Sequence, residues 1–181
     1  GDAEGNVAWW ATAKLYEMPD STNTKFILNG SDGKQDRLGY LDFSENPYAE
    51  NPVWNYVYSA NNQPDSINGE LYPGYYLPEN RAKRIVNLLT PKSDWDMEST
   101  SEMITDVTSS VNPSLVLKMS KEIDITNFDN RYIQLLDKLT KWNGAAEVDG
   151  VESTVFHRWV FYMLKETFKD ELGDELFNQV L

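Results

Sequence analysis

A chain of 181 residues, 40% hydrophobic and 25% charged, has room for one ordinary domain or two small pieces around a real core, and is not a disordered polymer. Its formal net charge of -13 argues against nucleic acid and anionic lipid as partners, because both need clustered Lys and Arg. The absence of cysteine removes disulfides, thiol catalysis and thiolate metal sites, and leaves the compartment open.

No apolar run approaches the ~20 residues a helix needs to cross a bilayer, so no membrane partner is expected. The six Trp and ten Tyr point to thick cores, interfaces or a stacking surface. Gly1 is not a start methionine, and the chain reads as a piece of a longer one.

In chain order, the first half is rich in strand and turn signals. "NVAWWATAKLY" (Asn6 to Tyr16) and "KFILNG" (Lys25 to Gly30) read as strands, with "MPDSTNT" and "NGSDGKQDRLG" as loops beside them. "NPVWNYVYSANNQPDS" (Asn51 to Ser66) reads as a strand through Val53, Trp54, Tyr56, Val57 and Tyr58, closed by Asn61 and Asn62. From Pro78, placed as a first helical residue, "ENRAKRIVNLL" sets Ala82, Ile85, Val86 and Leu89 at helical spacing until Pro91.

Three further helices are predicted. "SDWDMESTSEMITDVTSS" opens with Ser93 as cap. "TNFDNRYIQLLDKLTKW" carries a stripe of Phe128, Tyr132, Leu135, Leu136, Leu139 and Trp142, with Asn143-Gly144 as a left-handed exit. "STVFHRWVFYMLKETFKDEL" repeats the stripe with Phe156, Trp159, Val160, Met163 and Leu164. The expectation is α+β: a β-rich part over 1–77 and a helical part over 78–181.

Self-contained catalytic sets are mostly missing. The single histidine, His157, reads as a packing or surface residue, since no Gly-x-Ser-x-Gly elbow frames a triad. No His or Cys pair has zinc spacing. "NGSDGKQD" lacks the terminal Glu of a calcium loop and reads as a turn; it contains the short glycosylation triplet Asn29-Gly30-Ser31. Asp94 and Asp96 stand where a helix start favours negative charge.

The order of several motifs carries more. "DAEGNVAWW", "YLDFSENPYAENP", "SANNQP", "NRAKRIVNLL", "ITDVTSS" and "LLDKLTKWNGAAEVDGVESTVFHRW" together resemble the penicillin acylase (penicillin amidase) family of N-terminal-nucleophile hydrolases, over nearly the whole chain. The resemblance implies part of that family's αββα sandwich followed by a mainly helical section, with "ITDVTSS" as an Asp-x-x-Ser helix. It implies cleavage of an amide bond by a free N-terminal Ser, its α-amino group acting as base. Asn61 would then be the oxyanion-hole asparagine and Arg81 the arginine that supports it.

Gly1 has an amine but no hydroxyl or thiol. The expectation is therefore an interior part of the β chain, inactive alone, whose nucleophile lies elsewhere. The partners implied are a small-molecule N-acyl amide and the rest of the acylase α and β chains. A homodimer of the piece through cut sheet edges is a further expectation. No cofactor is expected, Ca2+ of the full-length family enzyme having no identifiable ligands here, and the implied location is the bacterial periplasm or exterior. The alternative is a non-catalytic extracellular binding module for glycans or a partner, using Trp9, Trp10, Trp54 and Tyr75; a third reading is a dead homologue kept as a scaffold.

Overall fold

The computed structural model describes residues 1–20, 22–64 and 71–180. Ser21 of the "MPDSTNT" loop and Asp65 and Ser66 of the Asn51–Ser66 stretch lie outside the described residues. The chain divides into two units, Gly1–Ser93 and Asp94–Leu181.

In the first unit, four short strands pair two by two. Strand β1 (Ala8–Trp10) runs antiparallel to β4 (Tyr48–Glu50), with Ala8 opposite Glu50 and Trp10 opposite Tyr48. Strand β2 (Tyr16–Glu17) pairs with β3 (Gly39–Tyr40). Cross-strand aromatic pairs reinforce both ladders: Trp10 stacks on Tyr48 at 4.3 Å, and Tyr16 meets Tyr40 at 5.0 Å under the Arg37 guanidinium.

The expected β-rich first part is corrected to a turn-rich one. The single strand predicted over Asn6–Tyr16 is broken between β1 and β2, because the carbonyls of Ala11 and Ala13 go to the Asn46 side chain instead of a ladder. Residues 25–30 form no strand. Phe26 N–H turns back to the Asn23 carbonyl, Asn29 N–H is taken by the Gln35 side chain, and Ile27 is fully exposed. Residues 53–58 are not a strand either. Asn51 and Asn55 adopt left-handed φ of 43° and 63°, and Asn55 N–H closes a turn on the Pro52 carbonyl. β-propensity without a partner strand does not make a strand.

Helix α1 spans Asn80–Leu89, starting two residues after Pro78 rather than on it. It buries Ala82 and half-buries Ile85, Val86 and Leu89, the predicted stripe.

The second unit is helical. Helix α2 (Met97–Ile104) is capped by Asp96, not Ser93: the Asp96 carboxylate accepts from Ser99 N–H at 2.8 Å, and Ser99 Oγ reciprocates on Asp96 N–H. It stops at Ile104, so residues 105–110 do not continue the predicted helix. They pair instead with the chain after α4: Ser109 N–H donates to the Gly144 carbonyl at 2.9 Å and Ala146 N–H to that of Val107. Gly144, at φ 93°, is the left-handed position expected there, and a Cβ on it would collide with the Ser109 carbonyl oxygen.

Helix α3 (Asn112–Ser120) was not predicted. Its start is nonetheless written in the chain: Pro113 lies in its first turn and Ser109 Oγ accepts from Asn112 N–H. Helix α4 (Asn130–Thr140) is capped by Asp129. Helix α5 (Glu152–Val180) breaks at Gly173, whose φ 73° and ψ 164° suit glycine almost alone. Phe161 and Phe177 would stand about 24 Å apart on a straight helix. Their ring centroids lie 6.4 Å apart, so the chain folds back at Gly173.

The core of this unit is Val116, Leu139, Trp142 and Phe156, flanked by Met119, Val155, Trp159 and Val160. Trp142 and Phe156 meet at 5.6 Å, and the Trp142 indole N–H is satisfied by the Ala145 carbonyl. The predicted α4 stripe is buried only at its C-terminal end, since Phe128 and Tyr132 remain exposed.

Candidate functional site

Residues 59–64 carry the two amides around which the site is built. Ala60 is buried, and both neighbours after it are asparagines with different fates. Asn62 spends its amide locally, accepting from Ala60 N–H at 3.2 Å and donating to the Gln63 carbonyl at 3.1 Å. It is the turn amide that a bland reading of the sequence would assign to either residue.

Asn61 stands at φ 60°, a left-handed conformation that Asn tolerates better than most residues. Its carbonyl accepts from Leu77 N–H at 2.8 Å. Its side-chain oxygen faces Arg81 Nη1 of α1 at 3.4 Å, the long end of hydrogen-bond range. A guanidinium only donates, so the amide must turn its oxygen toward Arg81 and its NH2 away. Among the described residues that NH2 has no acceptor, and Arg81 has no carboxylate partner. The sequence thus places both candidates in one unit and the fold brings them together.

Asn61 and Asn62 line a cleft of about 700 Å³ in the first unit, together with Trp9, Asn46, Trp54, Tyr58 and Tyr75. That volume is in the range of small-molecule sites. Three of the four aromatics named for the alternative reading therefore share the cleft, whereas Trp10 is stacked between Tyr48 and Phe43.

Further side chains hold this arrangement, and motif reading had not singled them out. Asn46 is buried at 2% exposure and clamps the carbonyls of Ala11 and Ala13 at 2.7 and 2.8 Å. Asn51 Oδ1 accepts from Val7 N–H, and its NH2 reaches Asn6, which is itself bonded to Asp2. Both lie just before prolines in "ENPYAENP", a turn signal that could have flagged them. Gln63 donates to the Tyr72 carbonyl at 3.0 Å, and Tyr76 O–H reaches the same oxygen at 3.2 Å. Burial pushes the Tyr76 hydroxyl above its ordinary value.

The other candidates are elsewhere. His157 is exposed on α5, its Nδ1 2.7 Å from the Ser153 carbonyl and its ring edge-on to Phe156. The "NGSDGKQD" segment is a turn with Gly33 at φ 68° and a Lys34–Asp32 ion pair at 3.1 Å.

A family model described as penicillin amidase matches residues 1–181, and the chain belongs to that family. Among solved structures it is similar in fold to a thermostable penicillin G acylase from Alcaligenes faecalis, with a TM-score of 0.70 and 20% identity. The match covers 96% of this chain and 33% of that one, so the chain spans about a third of the acylase chain it resembles. Among the described residues no group of three or more His, Asp or Glu side chains could hold a metal ion. Nor, among them, is any helix long and apolar enough to cross a membrane.

Proposed function

We propose that this chain is a section of an amidohydrolase that cleaves a small N-acyl amide by acyl transfer to water. Asn61 supplies an oxyanion-hole donor and Arg81 supports it. The observation that carries the reading is the Asn61 amide: its oxygen is engaged by a permanent cation at 3.4 Å, its NH2 is uncommitted among the described residues, and it lines a cleft. Membership of the penicillin amidase family supports the reaction class.

When a nucleophile adds to the amide carbonyl, the carbonyl oxygen gains negative charge. A preorganised neutral N–H at that oxygen stabilises the addition more than the ground state, and a nearby guanidinium favours the charge further. The C–N bond then breaks, the amine leaves with the proton taken from the nucleophile, and water releases the acyl group. The nucleophile, an N-terminal Ser with its own amine as base, is assigned to the remainder of the enzyme, as are the rest of the αββα sandwich and the periplasmic or secreted location. The 181-residue chain alone is then inactive.

The test is made on the intact enzyme. Asn61→Ala should lower kcat about 10²- to 10³-fold, the usual loss of one oxyanion donor. Unchanged kcat would remove Asn61 from the mechanism.

A further inference from the structure

The donor at Asn61 is useful only if its turn is held still, since a small displacement of a catalytic group from productive geometry is costly. Among the described residues, two hydrogen bonds to main-chain oxygens hold residues 61–63 beside residues 72–77, and the Gln63 side chain also meets the Tyr76 hydroxyl. One is main chain, Leu77 N–H to the Asn61 carbonyl at 2.8 Å. The other is a side chain, Gln63 Nε2 to the Tyr72 carbonyl at 3.0 Å.

The Tyr72 carbonyl takes a second donor, the Tyr76 hydroxyl at 3.2 Å, so both of its lone pairs are used. Tyr72 is itself anchored: its hydroxyl accepts from Tyr16 N–H of β2 at 2.7 Å. Leu77 stands four residues before Arg81. The same segment that Gln63 grips therefore delivers the guanidinium to the Asn61 side chain.

We propose that Gln63 is a positioning residue for amide hydrolysis, its side-chain amide tying the Asn61 turn to the Tyr72–Leu77 segment and thereby setting the approach of Asn61 to Arg81. The proposal rests on the oxyanion reading of Asn61. Gln63 lines the same cleft, but its side-chain NH2 is spent on the Tyr72 carbonyl, so the role assigned to it runs through the backbone of the turn.

In the intact enzyme, kcat and KM are measured for the parent, Asn61→Ala, Gln63→Leu and the double variant. Gln63→Leu should lower kcat about five- to tenfold, the value of one internal hydrogen bond, with KM within about twofold. The double variant should be no slower than Asn61→Ala, because without the donor there is nothing left to aim. Unchanged kcat in Gln63→Leu, or losses that multiply in the double variant, overturns the positioning role while leaving Asn61 in place. Unchanged kcat in Asn61→Ala instead overturns the site reading, and the positioning role with it. If Gln63→Leu fails to fold, Tyr76→Phe removes the companion donor from the same carbonyl; a loss of about two- to threefold, absent in the Asn61→Ala background, is then expected, and additivity overturns the proposal.

Discussion

Among the described residues, those buried in the Asp94–Leu181 unit are Val116, Leu139, Trp142, Gly144, Phe156 and Phe177, and those buried in the Gly1–Ser93 unit are Asn46, Ala60 and Ala82. One unit is held by apolar side chains from α3, α4 and α5 meeting at a common core. The other, among its described residues, has no large apolar side chain fully out of water and relies on side-chain amides placed on backbone carbonyls and N–H groups. Asn46 on Ala11 and Ala13, Asn51 on Val7, Asn62 on Ala60 and Gln63 on Tyr72 are four such ties. The candidate site is in the second kind of architecture. A backbone pinned at chosen points can hold a left-handed asparagine at the edge of a cleft, where a packed helical core offers few free polar groups.

The sharpest way to break this contrast is Phe156→Ala. Truncating a buried aromatic should cost about 3–5 kcal/mol. Hydrogen exchange should then show protection falling over α3, α4 and α5 while β1 and β4 keep theirs. Equal loss in both units would mean that they unfold together and that the contrast has no energetic content.

A smaller effect is expected from Asn46→Ala. The carbonyls of Ala11 and Ala13 lose their donors at a site only 2% exposed, at a cost of about 1–3 kcal/mol. Exchange should quicken along β1 and β4 and leave the helices alone. If the variant is as stable as the parent, polar clamps are not what holds the first unit.

The smallest effect is a titration. Hydrogen bonds from the Asn6 side chain and backbone hold the Asp2 carboxyl below its ordinary value of 3.8. A depressed carboxyl stabilises the fold above the unfolded value, and that contribution is lost as pH falls through the folded one. Asp2 is fully exposed, so the consequence is local. Its carbon resonance should titrate with a midpoint below 3.8, the Asn6 amide should follow it, and Asn6→Ala should bring the midpoint back up. A midpoint already at 3.8 in the parent would show that the turn is not held by this carboxylate.

Much of the helical unit was legible along the chain. Periodic apolar residues placed α4 and α5, and Asn143-Gly144 announced the exit that Gly144 makes at φ 93°. Helix α3 was missed despite its Pro and Ser start, because its apolar residues Leu115, Val116 and Leu117 are consecutive and show no face. In the first unit the aromatic and β-branched runs misled, since a strand needs a partner and those runs have turns built into them at Asn51 and Asn55. Asn61 and Arg81 could be named from the order of motifs. Gln63 could not, because nothing local shows that its amide finds a carbonyl nine residues away.

Taken alone, the sequence determined composition, family membership through motif order, the helical stripes and the positions where only Gly or Asn sits easily, because these depend on neighbours in the chain. Which runs became strands and, among the described residues, which of two adjacent asparagines kept its NH2 uncommitted and that Arg81 turns to Asn61 rather than to a carboxylate were decided by the tertiary structure. Each of these depends on a hydrogen-bond partner distant in the chain, and a partner's position is a property of the fold.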